Sequence, residues 1–188
     1  MQPPTEAAPP GGAGKHSSFD FVRHAPVLAA LAGGRLALDL GCGRGDWSMA
    51  LARAGMPVLA LDRWCDGLRW LRGQAQGLPV LALRADLAAP LPLPTAAVDR
   101  VLLALVLHHL VATGAAAAVL AQVARVLAPG GVLAVVEFLP VPPPPGPPLA
   151  IRLAPAQVLE LGADAGLTGG APIPVAPHVA LYRFGKPS

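Results

Sequence analysis

From residue 36 onward the chain alternates between short apolar runs and longer stretches with helical spacing. Runs at residues 36–40, 58–61, 80–83, 98–107 and 132–138 have the length and continuity of strands buried on both faces. Between most of them the period changes to that of a helix, at residues 47–54, 64–75 and 115–127. In the last of these, Val119, Leu120, Val123, Val126 and Leu127 share one face, and Gln122 and Arg125 lie off it. Upstream, Phe21, Val22, Val27, Leu28 and Leu31 predict an amphipathic helix that ends at Gly33-Gly34, with Pro26 starting or kinking it. A last helix at residues 155–165 opens on Pro155 and stops at Gly166, and two strand-like runs follow at 171–176 and 179–184. The Pro-rich stretch 84–97 reads as loop, and 142–148 as a polyproline-like connection. Strands alternating with helices predict an α/β fold of right-handed βαβ units, with a parallel sheet covered on both faces.

Composition narrows this further. The 188 residues are 54% hydrophobic and 13% charged, enough to bury one domain's core. Residues 1–18 hold only Pro, Gly, Ala, small polar residues and a few others, too little apolar surface to offset ordering, and are expected to form a disordered tail ahead of one domain at 19–188. They also lack the apolar stretch of a signal peptide. Residues 101–124 carry no formal charge, but His108-His109, Thr113-Gly114 and Gln122 interrupt the run, so a strand and a helix are expected rather than a membrane span. Two cysteines, Cys42 and Cys65, cannot build a disulfide framework or a closed zinc site, and they suit a reduced, cytoplasmic setting with no metal. The net charge of +3 gives no argument for a nucleic-acid partner.

The most informative stretch is Leu36-Ala-Leu-Asp-Leu-Gly-Cys-Gly-Arg-Gly-Asp46, a strand that runs into Gly41-x-Gly43-x-Gly45 and then into a helix that Asp46 or Ser48 is placed to cap. Such glycines let a ligand lie against bare backbone at the carboxyl end of a parallel sheet. A dinucleotide fingerprint requires its third glycine at position 46, which is Asp46, so a nicotinamide dehydrogenase fits poorly. No Gly-Lys-Ser/Thr follows, which excludes a phosphate-cradling P-loop. Asp39 and Asp46 beside the loop favour a ligand with cationic character. Asp62 and Asp86 end the next two strands on the same edge, and a carboxylate at the position of Asp62 can accept both hydroxyls of a ribose.

On these residues the chain resembles the class I S-adenosylmethionine-dependent methyltransferases of the type 11 kind, related to the quinone-biosynthesis methyltransferases. The matching pieces are Leu38-Asp-Leu-Gly-Cys-Gly-Arg-Gly45, Asp62, Ala85-Asp86, the run from Val98 to His109, and Arg125-Val-Leu-Ala-Pro-Gly-Gly-Val-Leu133. The resemblance covers about residues 19–185. It implies a Rossmann-like, doubly wound seven-stranded sheet, mostly parallel with a reversed last strand. It also implies S-adenosylmethionine as cofactor and S-adenosylhomocysteine as product. By the same resemblance Asp39, Leu40, Gly41, Cys42, Gly43 and Gly45 lie along the methionine part, and Asp62 on the ribose. Arg63, Trp64, Asp86 and Leu87 fall at the adenine, with Leu105 and Val106 on the methyl-donor side.

The sulfonium methyl is already activated, so holding a nucleophile in line and excluding water supplies most of the acceleration. Where a base is needed, His108 and His109 are the candidates, because they follow the fourth strand. The plainer alternative is that one of them packs against cofactor or backbone. Glu137, ending the fifth strand, is a second candidate for contact with substrate. Neither an Asn/Asp-Pro-Pro-aromatic motif nor a Pro-Cys nucleophile follows the fourth strand, which argues against methylation of nucleic-acid bases. The expected acceptor is a small molecule, with a homodimer as a candidate assembly. The other readings are a non-catalytic S-adenosylmethionine-binding module acting with a partner, and an RNA or protein methyltransferase. Where many relatives carry a helical lid, residues 139–154 offer only a Pro-rich loop, which leaves 19–31 as the main cover over a shallow substrate site.

Overall fold

The computed structural model describes residues 17–142 and 146–188, so the expected tail lies outside the described residues at 1–16 and the polyproline connection at 143–145. The elements run α1 (His24–Leu31), β1 (Ala37–Leu40), α2 (Asp46–Arg53), β2 (Val58–Asp62), α3 (Cys65–Gln74), β3 (Val80–Arg84) and β4 (Val98–Ala104). They continue with α4 (Leu107–Ala112), α5 (Ala116–Val126), β5 (Leu127–Phe138), α6 (Pro155–Asp164), β6 (Thr168–Gly169), β7 (Ile173–Ala176) and β8 (Val179–Gly185). One sheet has the order β3-β2-β1-β4-β5-β8-β6, with β7 also paired to β8. β1 to β5 are mutually parallel, and β8 runs antiparallel to β5. The strand order reverses between β1 and β4, so the carboxyl ends of these two strands form the topological switch point at which open α/β sheets bind ligands.

All four residues of β1 are buried, as its central place between β2 and β4 demands. On one face Val27 and Leu31 of α1 and Trp47 and Leu51 of α2 pack on Ala37, Val58, Leu102, Val136 and Leu181. On the other, Val119, Leu120 and Val123 of α5 and Val158 of α6 pack on Leu38, Leu40, Leu103, Val135 and Tyr182. The helical face of α5 read from the sequence is thus the buried one. Off that face, Arg125 donates to the carbonyls of Leu91 and Leu93 and pins the 85–97 loop, while Gln122 accepts from its guanidinium.

Several expectations are corrected. The apolar run 98–107 is not one strand: β4 ends at Ala104, and α4 starts at Leu107. Leu105 between them has a left-handed backbone (φ +58°), which breaks the strand. The first helix begins only at His24, after a 3-10 turn at Ser18–Asp20, and Pro26 sits in its first turn. β5 begins five residues earlier than expected, at Leu127, and its register with β4 shifts between Val98 and Arg100. The sheet has eight segments because the far edge is split. β6 and β7 pair with opposite ends of β8 on the same side, on either side of Gly170-Ala171-Pro172.

Candidate functional site

The glycine loop leaves β1 by a hydrogen bond from Gly41 N–H to the Leu61 carbonyl (2.8 Å), which ties it to the neighbouring strand. Gly41, Gly43 and Gly45 all have positive φ. They are glycine for different reasons. A Cβ on Gly41 would meet Val106 at 2.6 Å, and one on Gly45 would meet Leu71 at 2.4 Å, so these two let the start of α4 and α3 close in. A Cβ on Gly43 would meet nothing within 4 Å, so this glycine faces the open side of the loop, where a ligand can rest on backbone. Gly45 is itself the N-cap of α2, with no side-chain cap. The expected caps are therefore corrected: Asp46 ion-pairs with Arg44 (3.8 Å), and Ser48 donates its hydroxyl to Asp39 (2.5 Å).

Asp62 clamps this loop. Its Oδ2 accepts from Gly43 N–H and its Oδ1 from Trp64 N–H, both at 2.8 Å, so one carboxylate fixes the glycine turn and the start of α3 together. Gly67 makes that approach feasible, since a Cβ there would lie 2.5 Å from the Gly43 carbonyl and 2.4 Å from the Trp64 ring. Asp39 pairs in register with Ala60, two residues short of Asp62, and points to the same sheet face. It is 2% exposed, and burial, opposed by the Ser48 hydroxyl and reinforced by the Asp62 and Asp46 carboxylates, pushes it up to about 7. Burial and the Asp39 and Asp62 carboxylates also push the Cys42 thiol up, so it is a packing group and not a nucleophile.

The other sequence-derived residues spread around this centre. Trp64 is half-buried, Arg63 is exposed, and Leu105 lies at the end of β4 with its strained backbone N–H on the Val136 carbonyl (2.8 Å). Asp86 lies two residues past the end of β3, exposed, with one oxygen on Ala88 N–H. Leu87 beside it packs on the α5 side of the sheet. Leu40 is also turned to that face and fully buried, so only its backbone faces the loop. The three acids share an edge but step outward by two residues per strand.

The histidines separate. His108 is buried: its N–H donates to Glu137 Oε1 (3.1 Å), and its Nδ1 lies 2.8 Å from Oε2. His109 is exposed, its ring centroid 4.1 Å from that of His108. The N-terminal segment spans the top of the α1 face. Phe19 packs edge-on against Trp47 (5.0 Å), Phe21 stacks on Phe138 (5.7 Å), and Arg23 N–H donates to the Val175 carbonyl. An open recess of about 400 Å³ lies there between Phe21, Arg23 and residues 174–177, not a closed pocket. Ser48, Gly67 and Leu71 escaped the sequence reading as parts of the site. The i+3 spacing of Gly67 and Trp64 was the one available signal. Among the described residues no three His, Cys, Asp or Glu could hold a metal ion, and no helix is long and apolar enough to cross a membrane.

A sheet whose order reverses between β1 and β4, with a glycine turn at that switch point clamped by an acid from β2, defines an α/β protein of the doubly wound type. Residues 38–135 match the methyltransferase domain family, more than half of the chain, and the chain belongs to that family. Over 134 residues it is 36% identical to the 27-O-demethylrifamycin SV methyltransferase of Amycolatopsis mediterranei, covering 66% of this chain and 46% of that protein. It is likewise 36% identical over 134 residues to the demethylmenaquinone methyltransferase of Thermus thermophilus, covering 65% and 54%. The chain thus spans about half the length of the curated relatives it matches. The fold superposes on a SAM-dependent methyltransferase from Aquifex aeolicus with a TM-score of 0.78 and 22% identity, over 89% of this chain and 91% of the other.

Proposed function

We propose that this protein transfers a methyl group from S-adenosylmethionine to a small-molecule acceptor. The observation that carries the reading is the clamp of Asp62 on Gly43 beneath the open face of the glycine turn. The residues fit the cofactor's chemistry. Gly43 offers bare backbone, Asp62 retains lone pairs for ribose hydroxyls, and Asp39 supplies negative charge for a cationic methionine moiety. Trp64 and Arg63, with Asp86 and Leu87 further along the edge, are the residues assigned to the adenine in this reading. Bound there, the cofactor supplies an activated methyl group. The protein orients the acceptor and excludes water, with Phe19–Arg23 as the cover and His108 and His109 as candidate bases. The quinone and rifamycin substrates named for the two relatives support a small molecule as acceptor. Calorimetric titration with S-adenosylmethionine, S-adenosylhomocysteine and NAD tests the first half of the reading. Binding of the first two and not the third is expected, and a preference for NAD would overturn it. A protein that binds but methylates nothing would be the regulatory module instead.

Asp39 adds a pH dependence. The cofactor is cationic and favours the ionised carboxylate, so its affinity is expected to rise from about pH 6 to about pH 8 and then level off. The free protein should behave oppositely. Asp39 is held above its ordinary value near 3.8, so its contribution to stability is complete below that value and is lost as the pH rises through about 7. Titrations across this range, with Asp39→Asn as control, check both signs. A pH-independent affinity in the unaltered protein would remove Asp39 from the cofactor site.

A further inference from the structure

Glu137 and His108 form a buried ionisable pair that binding a cofactor does not require. Glu137 is 1% exposed and His108 2%, and the two lie on β5 and α4, 29 residues apart in sequence. Replacing such a pair with apolar groups is often neutral or stabilising, so a brace alone does not explain it. Its place is telling: α4 begins two residues after the strained Leu105, and Glu137 is the penultimate residue of β5, at the sheet edge that carries the glycine turn. His108 is not sealed in. It borders a crevice of about 110 Å³ with Gln157, Arg152 and apolar residues of α4 and the 149–153 segment.

We propose that Glu137 is the positioning residue of a general base, His108, and that the acceptor methylated here carries a weakly acidic hydroxyl, a phenol or an enol. This rests on the methyl-transfer reading above. In the proposed arrangement Nδ1 of His108 donates to Glu137 Oε2, 2.8 Å away, which leaves the ring's lone pair at Nε2. Oε1 at the same time holds the His108 N–H and fixes the ring relative to α4. The groups around the pair suit this state. The Tyr182 hydroxyl of β8 is buried without a hydrogen-bond partner, and burial together with Glu137 pushes it up to about 12, so it stays neutral. The His109 ring lies against that of His108, and the Arg152 guanidinium is held by the Pro147, Leu139 and Val141 carbonyls. In the reaction the acceptor oxygen bonds to the methyl carbon and gives its proton to Nε2. The pair of the broken carbon–sulfur bond stays on sulfur, which becomes neutral. A neutral amine can attack before it loses a proton, and a thiol ionises readily. A weakly acidic hydroxyl gains most from a base.

The test uses the full chain with S-adenosylmethionine and four probes: catechol, 4-nitrophenol, benzylamine and thiophenol, with S-adenosylhomocysteine formation as readout. Catechol should be methylated, and Glu137→Gln should lower its kcat about 10²-fold with KM nearly unchanged. For 4-nitrophenol, ionised without help at mildly alkaline pH, the same variant should lose only a few-fold. Long-range proton–nitrogen NMR of the unaltered protein should show His108 protonated at Nδ1, a readout that needs neither turnover nor a stable variant. Equal losses for both phenols, or a proton at Nε2, would make the pair structural and overturn the proposal. Methylation of benzylamine or thiophenol alone, or of no probe by a protein that binds S-adenosylmethionine, would overturn the acceptor class and leave the cofactor assignment standing. Absence of cofactor binding would overturn the methyl-transfer reading and this proposal with it.

Discussion

Asp62→Ala is expected to weaken S-adenosylmethionine binding by about three orders of magnitude. Two losses combine. The ribose hydroxyls lose a charged acceptor, worth about 1.5–3 kcal/mol, and the Gly43 and Trp64 amides lose the carboxylate that now holds them. Each amide released costs about 1 kcal/mol more, because the cofactor must then order a loosened turn. Asp62→Asn separates the contributions. It keeps the volume and one acceptor oxygen, but turns an NH₂ toward one of the two backbone donors, so its loss should be intermediate. Calorimetry supplies the affinities and thermal unfolding the stabilities. Unchanged affinity in the alanine variant, with lowered stability, would reduce Asp62 to a structural clamp.

The second large effect is on folding. Gly45→Ala should destabilise the protein by about 2–4 kcal/mol and lower Tm on the order of 10 °C. A left-handed backbone accounts for about 1 kcal/mol, since a Cβ is strained at φ +77°. The rest comes from Leu71, fully buried on α3, whose side chain would lie 2.4 Å from the new carbon. Gly55→Ala is the matched control: its φ is +89°, but nothing lies within 4 Å of a Cβ there, so only the backbone cost should appear. If the two variants melt together, the closeness of α3 to the glycine turn contributes nothing.

The alternation of strands and helices was legible because buried parallel strands leave continuous apolar runs, and most helices leave a 3.6-residue period. The boundary between β4 and α4 was not. Strand, turn and the first turn of helix are all buried or half-buried from Val101 to Leu107, so hydrophobicity does not change where the backbone does. The broken edge of the sheet was missed for a related reason: two residues of β6, exposed and without a pattern, leave no signal. In the site, Gly41-x-Gly43-x-Gly45 and Asp62 could be read because their spacing along the chain dictates their meeting. Ser48 resembles a helix cap in sequence, and only the buried position of Asp39 beneath it shows where its hydroxyl goes. The His108–Glu137 contact joins two separately suspected residues, and no local rule links positions 29 apart.

The divided edge beside β8 bears on how copies of this chain behave when crowded together. An unpaired strand is a template for another chain's strand, and a long flat one invites fibrous association. Here the outermost position is two residues of β6, a Gly-Ala-Pro interruption, and four residues of β7 that include Pro174, which has no N–H to offer. Neither fragment is long enough to nucleate an intermolecular ladder, so that flank of the sheet protects the protein against self-assembly during folding, at concentrations where an unbroken strand would promote it.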